Sequence, residues 1–432
     1  MNPLATELNQ VLDTCVAGRL LSDRGRRLYF PKGIVAQGAE AGKLAKRHNA
    51  TIGMAYEGGK PMILPSVAAL TPGLDPVESV SYAPVGGVDE LRQLWKEEMI
   101  RKNPSLRGVP ISLPVVAPGL TPGISTAAEL YVNPGDVVII PDLFWDNYEL
   151  IFTDRQQAKI VSFPFFDEAW NFNLAGLEET IRKNSGSGKI VLLLNFPNNP
   201  AGYAPRKNET AALAKVVRDA ADRGVDILAI ADDAYYGLFY EEGTETESVF
   251  AVFANLHERV LAVKVDGSTK EDFVWGFRVA FITHGSKGMS PEVYTALGTK
   301  TISSLRASVS NSSRLAQSIM IRVMKSPTYQ AEKERKFEIL RGRYAKVKEI
   351  LAHRKTGRAL KEIPFNSGYF MSFLCQGISA DTLRRRLLDR GIGTIALQDR
   401  LLRVAFSSIE VGGLDELYRE IFQAADELSA GK

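Results

Sequence analysis

Five short runs of aliphatic and β-branched residues recur through the middle of the chain: DVVIIP (136–141), AKIVSFPF (158–165), KIVLLLNF (189–196), DILAIAD (226–232) and RVLAVKVD (259–266). None alternates apolar with polar residues, so each needs cover on both faces, as in a mostly parallel sheet sandwiched by helices. The clearest helical patterns are VDELRQLWKEEMIRK (88–102) and NETAALAKVVRDAADRG (208–224), the second read as starting at a capping Asn208 and ending on Gly224. After about residue 315 the pattern changes. SRLAQSIMIRVMK and the charged segment 332–355 read as long helices, followed by strands near 368–374 and 401–406 and helices at 380–390 and 413–429. The first sixty residues read as helix and loop, too short to fold alone. The expected architecture is α/β, with a large domain (63–319) and a small α+β domain built from both chain ends (1–62 and 320–432).

Composition narrows the function classes. The 432 residues carry 53 Lys and Arg against 50 Asp and Glu, a net charge of +3 with no concentrated basic face, which argues against nucleic acid. Two cysteines, Cys15 and Cys375, cannot build a disulfide framework and suit a reducing, cytoplasmic setting. The N-terminus lacks the apolar core of a signal peptide, and no apolar run approaches the length of a membrane span. His48, His257, His284 and His353 are scattered, so no metal site is expected. NSGSGKI (184–190) imitates a phosphate loop, but Lys183 and Ile190 occupy the positions where that motif needs Gly and a hydroxyl. It reads as a helix-to-strand turn. Arg384, Arg385 and Arg386 read as a solvated helix face.

Four loops carry the chemistry. VDGSTKEDFVWGFRVAFI (265–282) reads as strand, polar turn and return strand, placing Lys270 at the C-terminal edge of the sheet, where open α/β folds bind ligands. Beside it stand Arg278, Ser268 and Thr269. An amine there, partly buried and near another cation, has a lowered pKa and can attack a carbonyl. The alternative is a surface turn Lys with a structural Arg. NFPNNPAGY (195–203) holds Asn198 and Asn199 between prolines, ADDAYYGLF (231–239) puts Asp232 at a strand tip with Tyr235 three residues on, and APGLTPGISTAAELYV (117–132) feeds a helix whose first N–H groups, near Thr121, can take a phosphate.

In this combination and order, from about residue 50 to 410, the residues resemble the aspartate aminotransferase family of fold-type-I pyridoxal phosphate enzymes. The resemblance implies a seven-stranded, mostly parallel sheet and pyridoxal phosphate as cofactor. It also assigns roles: Lys270 forms the imine with the cofactor and shuttles a proton; Asp232 pairs with the pyridine nitrogen; Tyr235 and Asn199 hydrogen-bond the phenolic oxygen. Trp145 in PDLFWDNY stacks on the ring. Arg278, Leu120, Thr121, Ser268 and Thr269 hold the phosphate, and Tyr82 in SYAPVGGVDELR reaches it from a neighbouring subunit. A homodimer with shared active sites follows.

On the substrate side, Arg403 in LLRVAFSS matches the clamp for the α-carboxylate, with Arg400 a nearby competitor. LRASVSNSS (305–313) resembles the segment whose Arg, here Arg306, crosses the dimer to bind a side-chain carboxylate, with Ser310 and Asn311 at matching spacing. GGKPMILPSV (58–67) resembles the aspartate and aromatic members, and Gly53 or Met54 would line the pocket, as would Asn199 and Trp145. The resemblance thus implies a transaminase working by a ping-pong exchange between an L-amino acid, dicarboxylic or aromatic, and a 2-oxo acid. A C–S or other β-eliminating lyase of the same fold, and a cofactor-sensing regulatory domain, are the alternatives. The chain departs from the family at Gly267, where a phosphate-binding Ser is usual, at Leu120, at Asp233, and at Tyr148, which replaces a His behind the ring aspartate.

Overall fold

A computed structural model describes residues 1–3, 6, 7, 10, 34–51, 53, 55–62, 64–70, 73, 74, 76–354 and 359–430. Met54 and Cys15 lie outside the described residues. The five apolar runs become five strands of a seven-stranded sheet. In chain order these strands are β1 (Val115–Ala117), β2 (Val137–Pro141), β3 (Lys159–Phe163), β4 (Lys189–Asn195), β5 (Asp226–Asp232), β6 (Val260–Gly267) and β7 (Ala280–Gly285). Their spatial order is β1-β7-β6-β5-β4-β2-β3. β7 runs antiparallel to β1 and β6, and the other pairings are parallel.

The absence of alternation in the sequence has the cause inferred from it: both faces of the sheet are apolar. Val191, Leu193, Leu228 and Ile230 join one buried cluster, while Ile190, Leu192, Leu194, Ile227 and Ala229 join another. Successive side chains of a strand point to opposite faces, so a doubly covered strand is apolar at most positions, and β6 departs from this only where Lys264 and Asp266 are paired. At the C-terminal ends of β5 and β6, polar residues interrupt the apolar runs.

The helix expected at 208–224 spans Lys207–Asp222. Its cap differs from expectation: Asn208 lies inside the first turn, and Glu209 accepts the N–H of Arg206 at 2.7 Å. A carboxylate three residues in can satisfy the orphaned amide from below, so the cap shifts by two residues. NSGSGKI forms the turn between the helix Leu174–Asn184 and β4, with Gly188 at φ +75. Arg384 corrects the solvated-face reading of the triple arginine. It is 6% exposed and held by Glu40 at 2.6 Å and Asp381 at 3.0 Å, whereas Arg385 and Arg386 are open. Its partner Glu40, distant in sequence, is what a local charge count could not supply.

The C-terminal region forms a separate antiparallel sheet of β8 (Leu360–Glu362), β9 (Met371–Cys375), β10 (Ile395–Leu397) and β11 (Leu401–Val404), in the order β8-β9-β11-β10. β8 and β10 span three residues each, too short for a periodic signal. The long helices Tyr329–His353 and Val411–Ala430 pack against each other beside it. His48 and Asn49 pair in parallel with Ile392 and Gly393, tying the N-terminal segment to this region. Among the described residues, no helix is long and apolar enough to cross a membrane, and no group of His, Cys, Asp or Glu is placed to hold a metal ion.

Candidate active site

The site grows from the ends of β5 and β6. β6 closes at Gly267 and passes into one helical turn, Ser268–Glu271, before the chain returns as β7. A Cβ at Gly267 would lie 2.6 Å from the Val279 carbonyl oxygen and 2.8 Å from the Ala280 Cα, so the close antiparallel pairing of β6 with β7 leaves no room for a Ser side chain there. The turn sets Lys270 against the face of Tyr235, with Nζ 5.0 Å from the ring centroid. Burial, aided by the Arg278 charge and opposed by Asp232, lowers the Lys270 pKa to about 8.

Asp232 ends β5 and is 3% exposed. Its carboxylate accepts from the Tyr148 hydroxyl and from the Ala234 N–H. Burial pushes its pKa up to about 6, against the pull of the Tyr148 hydrogen bond and of Lys270. Tyr148 therefore stands behind the carboxylate, as its sequence position implies. Burial likewise holds the Tyr235 phenol above its usual range, so it is a hydrogen-bond donor at neutral pH. Tyr235 is packed edge-on to Tyr369 and Phe370, with ring centroids 5.3 Å away in each case.

Asn199 is fixed by two bonds. Its N–H donates to Asn195 Oδ1, and its own Oδ1 accepts from Arg403 Nη1, both at 2.8 Å. With the carbonyl oxygen occupied, the amide Nδ2 is left as a donor. Arg403, on β11, is 2% exposed, lies 4.2 Å above the Phe370 ring, and also donates to the Thr51 carbonyl oxygen at 3.3 Å. Its Nε is buried without a partner, and the Asp146 carboxylate acts on it only through its charge. Burial lowers its pKa to about 10, which still leaves it cationic. A buried guanidinium with no carboxylate in hydrogen-bond contact is costly, and a carboxylate ligand would offset the cost. Arg400 is instead paired at the surface with Asp142 at 2.7 Å, which separates the two candidates.

At the opposite end, Gly119 (φ +111) starts the helix Leu120–Tyr131. A Cβ there would fall 2.1 Å from Arg278 Nη2, so only Gly lets the guanidinium lie against the turn. The Thr269 hydroxyl is buried without a partner. Helix N–H groups, a guanidinium and a free hydroxyl make an anion-binding corner.

A cavity of about 240 Å³ joins these parts. Leu120, Thr121, Trp145, Asn199, Asp232 and Tyr235 line it, together with Lys270, Arg403 and Gly53. Trp145 stands edge-on to Tyr148, with centroids 5.6 Å apart. Arg278 and Thr269 do not line it, although Arg278 lies against Gly119, next to Leu120, and three further sequence candidates lie elsewhere. Ser268 is fully buried and turns its hydroxyl to the Val279 carbonyl oxygen at 3.3 Å, so it does not replace the missing Ser. Tyr82 is 90% exposed. Arg306 sits exposed in the last turn of the helix Pro291–Ser308, bonded to Ser310 Oγ at 2.6 Å. Phe370, Asn195 and Thr51 line the cavity and were not anticipated. The sequence SGYF before β9 offered a faint signal for Phe370; Thr51 contributes a backbone carbonyl and carries none.

The family described as aminotransferase class I and II matches residues 54–421. An aspartate aminotransferase of Sulfurisphaera tokodaii is 27% identical over 208 residues, 48% of each chain, so the alignment spans about half of that relative. An aspartate/prephenate aminotransferase of Thermus thermophilus is 24% identical over 320 residues, covering 73% of this chain and 74% of that protein. A crystal structure of an aminotransferase from Anaerococcus prevotii superposes with a TM-score of 0.83 at 23% identity, over 94% of this chain and 99% of that one. That likeness establishes the fold.

Proposed function

The chain belongs to the class I and II aminotransferases, and from that premise we propose that it is a pyridoxal phosphate-dependent transaminase exchanging an amino group between an L-amino acid and a 2-oxo acid. The observation that carries this reading is one cavity in which a buried amine of lowered pKa, Lys270, is shared with a buried guanidinium, Arg403, whose Nε has no hydrogen-bond partner. The residues fit the cofactor at every polar group. Asp232 suits the ring nitrogen, the Tyr235 hydroxyl and Asn199 Nδ2 suit the phenolic oxygen, and the corner at Gly119 with Arg278 and the unpartnered Thr269 hydroxyl suits the phosphate. Bound there, pyridoxal phosphate supplies an aldehyde for amines and a ring that accepts the electron pair left at the substrate α-carbon.

The chain's own groups do the rest. Lys270 loses a proton near pH 8, so its Nζ is available as a nucleophile and then as the base that carries the α-proton. Asp232 holds a positive charge at the ring nitrogen inside a low-dielectric pocket. Arg403 grips the α-carboxylate, and its bond to Asn199 ties substrate orientation to the cofactor edge. Trp145, Tyr235 and Phe370 supply aromatic walls to the cavity.

We assign Arg306 and Tyr82 to the active site of a second subunit, making a homodimer with shared sites and a preference for dicarboxylic substrates, aspartate or glutamate, with aromatic ones accepted. Support comes from the exposure of Val77, Val80 and Tyr82 and of Val293 and Val309, and from Ile302 packing beside Gly86 between the two segments. Names of the relatives point the same way. The two-domain division is part of the proposal, with its second boundary at the end of the helix Arg314–Met324, because residue 320 is mid-helix. A cytoplasmic setting completes it.

The test is the visible absorption of the purified protein with pyridoxal phosphate, before and after L-aspartate and then 2-oxoglutarate. A band that collapses and returns supports dicarboxylic transamination. A band that ignores aspartate but answers aromatic donors overturns the dicarboxylic preference, and no band overturns the cofactor assignment. Arg306→Leu is expected to lower kcat/KM for aspartate by roughly 10–100-fold, the worth of a charge-assisted bond, and to spare neutral substrates.

A further inference from the structure

The turn that carries Lys270 has only four residues, Ser268–Glu271. One isolated turn is too short to hold its own shape, so its position depends on outside anchors. The strongest of these is the next residue in the chain. Glu271 is 8% exposed and does not line the cavity of Lys270. Its Oε1 is gripped by two lysines from different helices, Lys102 Nζ at 2.6 Å and Lys333 Nζ at 2.7 Å. Asp272, fully buried, accepts from the Tyr329 hydroxyl at 2.7 Å and lies 3.0 Å from Lys333 Nζ. Glu98, with Arg101 at 2.7 Å, completes the set at 4.0 Å from Lys333. The helices Asp89–Lys102 and Tyr329–His353 are thereby bolted to one another through the residue beside the reactive amine.

We propose that the Lys102–Glu271–Lys333 bridge fixes the height and direction of Lys270 in its cavity, making Glu271 a positioning residue for the reaction. Glu271 touches neither cofactor nor substrate. It acts through the backbone, because a shift of the turn moves Lys270 relative to Asp232 and Tyr235, the groups that set its charge and contacts. This inference rests on the reading of Lys270 as the amine that binds pyridoxal phosphate.

Glu271, Lys102 and Lys333 line a second cavity of about 380 Å³ that also includes Gln330 and Glu334, both exposed. Removing the Glu271 side chain thus leaves room for a small carboxylate between the lysines. The experiment compares the wild-type protein, Glu271→Ala and the control Glu334→Ala, each loaded with pyridoxal phosphate, by the pH midpoint of the cofactor's visible absorption change. Glu271→Ala is expected to move the midpoint by roughly half a pH unit or more, as loss of a fixed charge geometry does. Acetate at constant ionic strength returns it towards the wild-type value, while Glu334→Ala leaves it in place. A Glu271→Ala protein with native near-UV circular dichroism and an unmoved midpoint overturns the proposal, as does an equal shift in Glu334→Ala. Should Glu271→Ala fail to fold, Glu271→Gln takes its place: a moved midpoint supports the bridge, and an unmoved one overturns it. A wild-type protein without any visible band overturns the cofactor reading instead, so the two failures are separable.

Discussion

Two groups of buried charges lie beside one another at the ends of β5 and β6, and they are built on opposite terms. In the cavity, Lys270 and Arg403 are left without a carboxylate in ion-pair contact among the described residues, and Asp232 is satisfied only by neutral donors. Away from the cavity, Lys264 is shared by Asp233 and by Asp266 at 3.1 Å, and Asp266 also accepts from the Trp95 indole. The Lys102–Glu271–Lys333 bridge continues that pattern. Chain neighbours fall into different groups: Asp232 with Asp233, Lys270 with Glu271. Alternation accounts for part of this, since Lys264 and Asp266 point away from Val263 and Val265. The contrast separates structural from chemical charge. Two carboxylates hold the Lys264 pKa up against burial, although burial still raises that of Asp266, whereas Lys270, with no carboxylate in contact, is pulled down by burial. The first arrangement joins elements of the fold, and the second is the one to which the proposed function assigns the chemistry.

Substitutions can break this contrast, starting with the largest effect. Lys270→Ala is expected to reduce transamination by roughly 10²–10⁴-fold or more, the contribution of a positioned acid–base group, with little loss of folding stability in a denaturant titration. Lys264→Met reverses the emphasis. Leaving two buried carboxylates without their cation costs about 3–5 kcal/mol of stability by the same titration. Equal stability losses in the two variants would erase the difference between the two groups of charges. Arg403→Leu is expected to lower kcat/KM by about 100-fold with stability retained, because its carboxylate partner comes from the substrate.

Smaller effects sharpen the picture. The rate at which cofactor-free protein takes up pyridoxal phosphate should rise with pH and level off above about 8, where Lys270 has lost its proton. A flat profile from pH 6 to 9 would show that the amine is not the titrating group. Tyr148→Phe removes a donor that stabilises the Asp232 carboxylate, so the Asp232 pKa should climb above about 6. That shift is read by infrared titration of the carboxylate in cofactor-free protein, and a downward shift would refute the role given to Tyr148.

The positions most legible in the sequence were those where chemistry coincides with a strand end. Lys270, Asp232, Tyr235 and Asn199 each follow an apolar run, and the structure gathers them in one cavity. Ser268 was legible and misplaced. Its neighbour Gly267 has no room for a side chain against the paired β7, and the Ser268 hydroxyl turns to the Val279 carbonyl oxygen of the same segment. Asp233 and Glu271 stood in plain sight as extra acids, but their partners Lys264, Lys102 and Lys333 come from three separate elements.

By itself, the sequence determined the layer architecture, because a doubly buried strand must be apolar at successive positions and a helix must follow it. It also determined which residue types reach the C-terminal edge of the sheet, since each sits a fixed number of residues beyond a strand. Only the tertiary structure decided which charges face each other across that edge. Ion pairing depends on distances between elements far apart in the chain, and a single φ, such as that of Gly119 beneath Arg278, or a single close approach, such as that at Gly267, redirects a side chain without leaving a periodic trace.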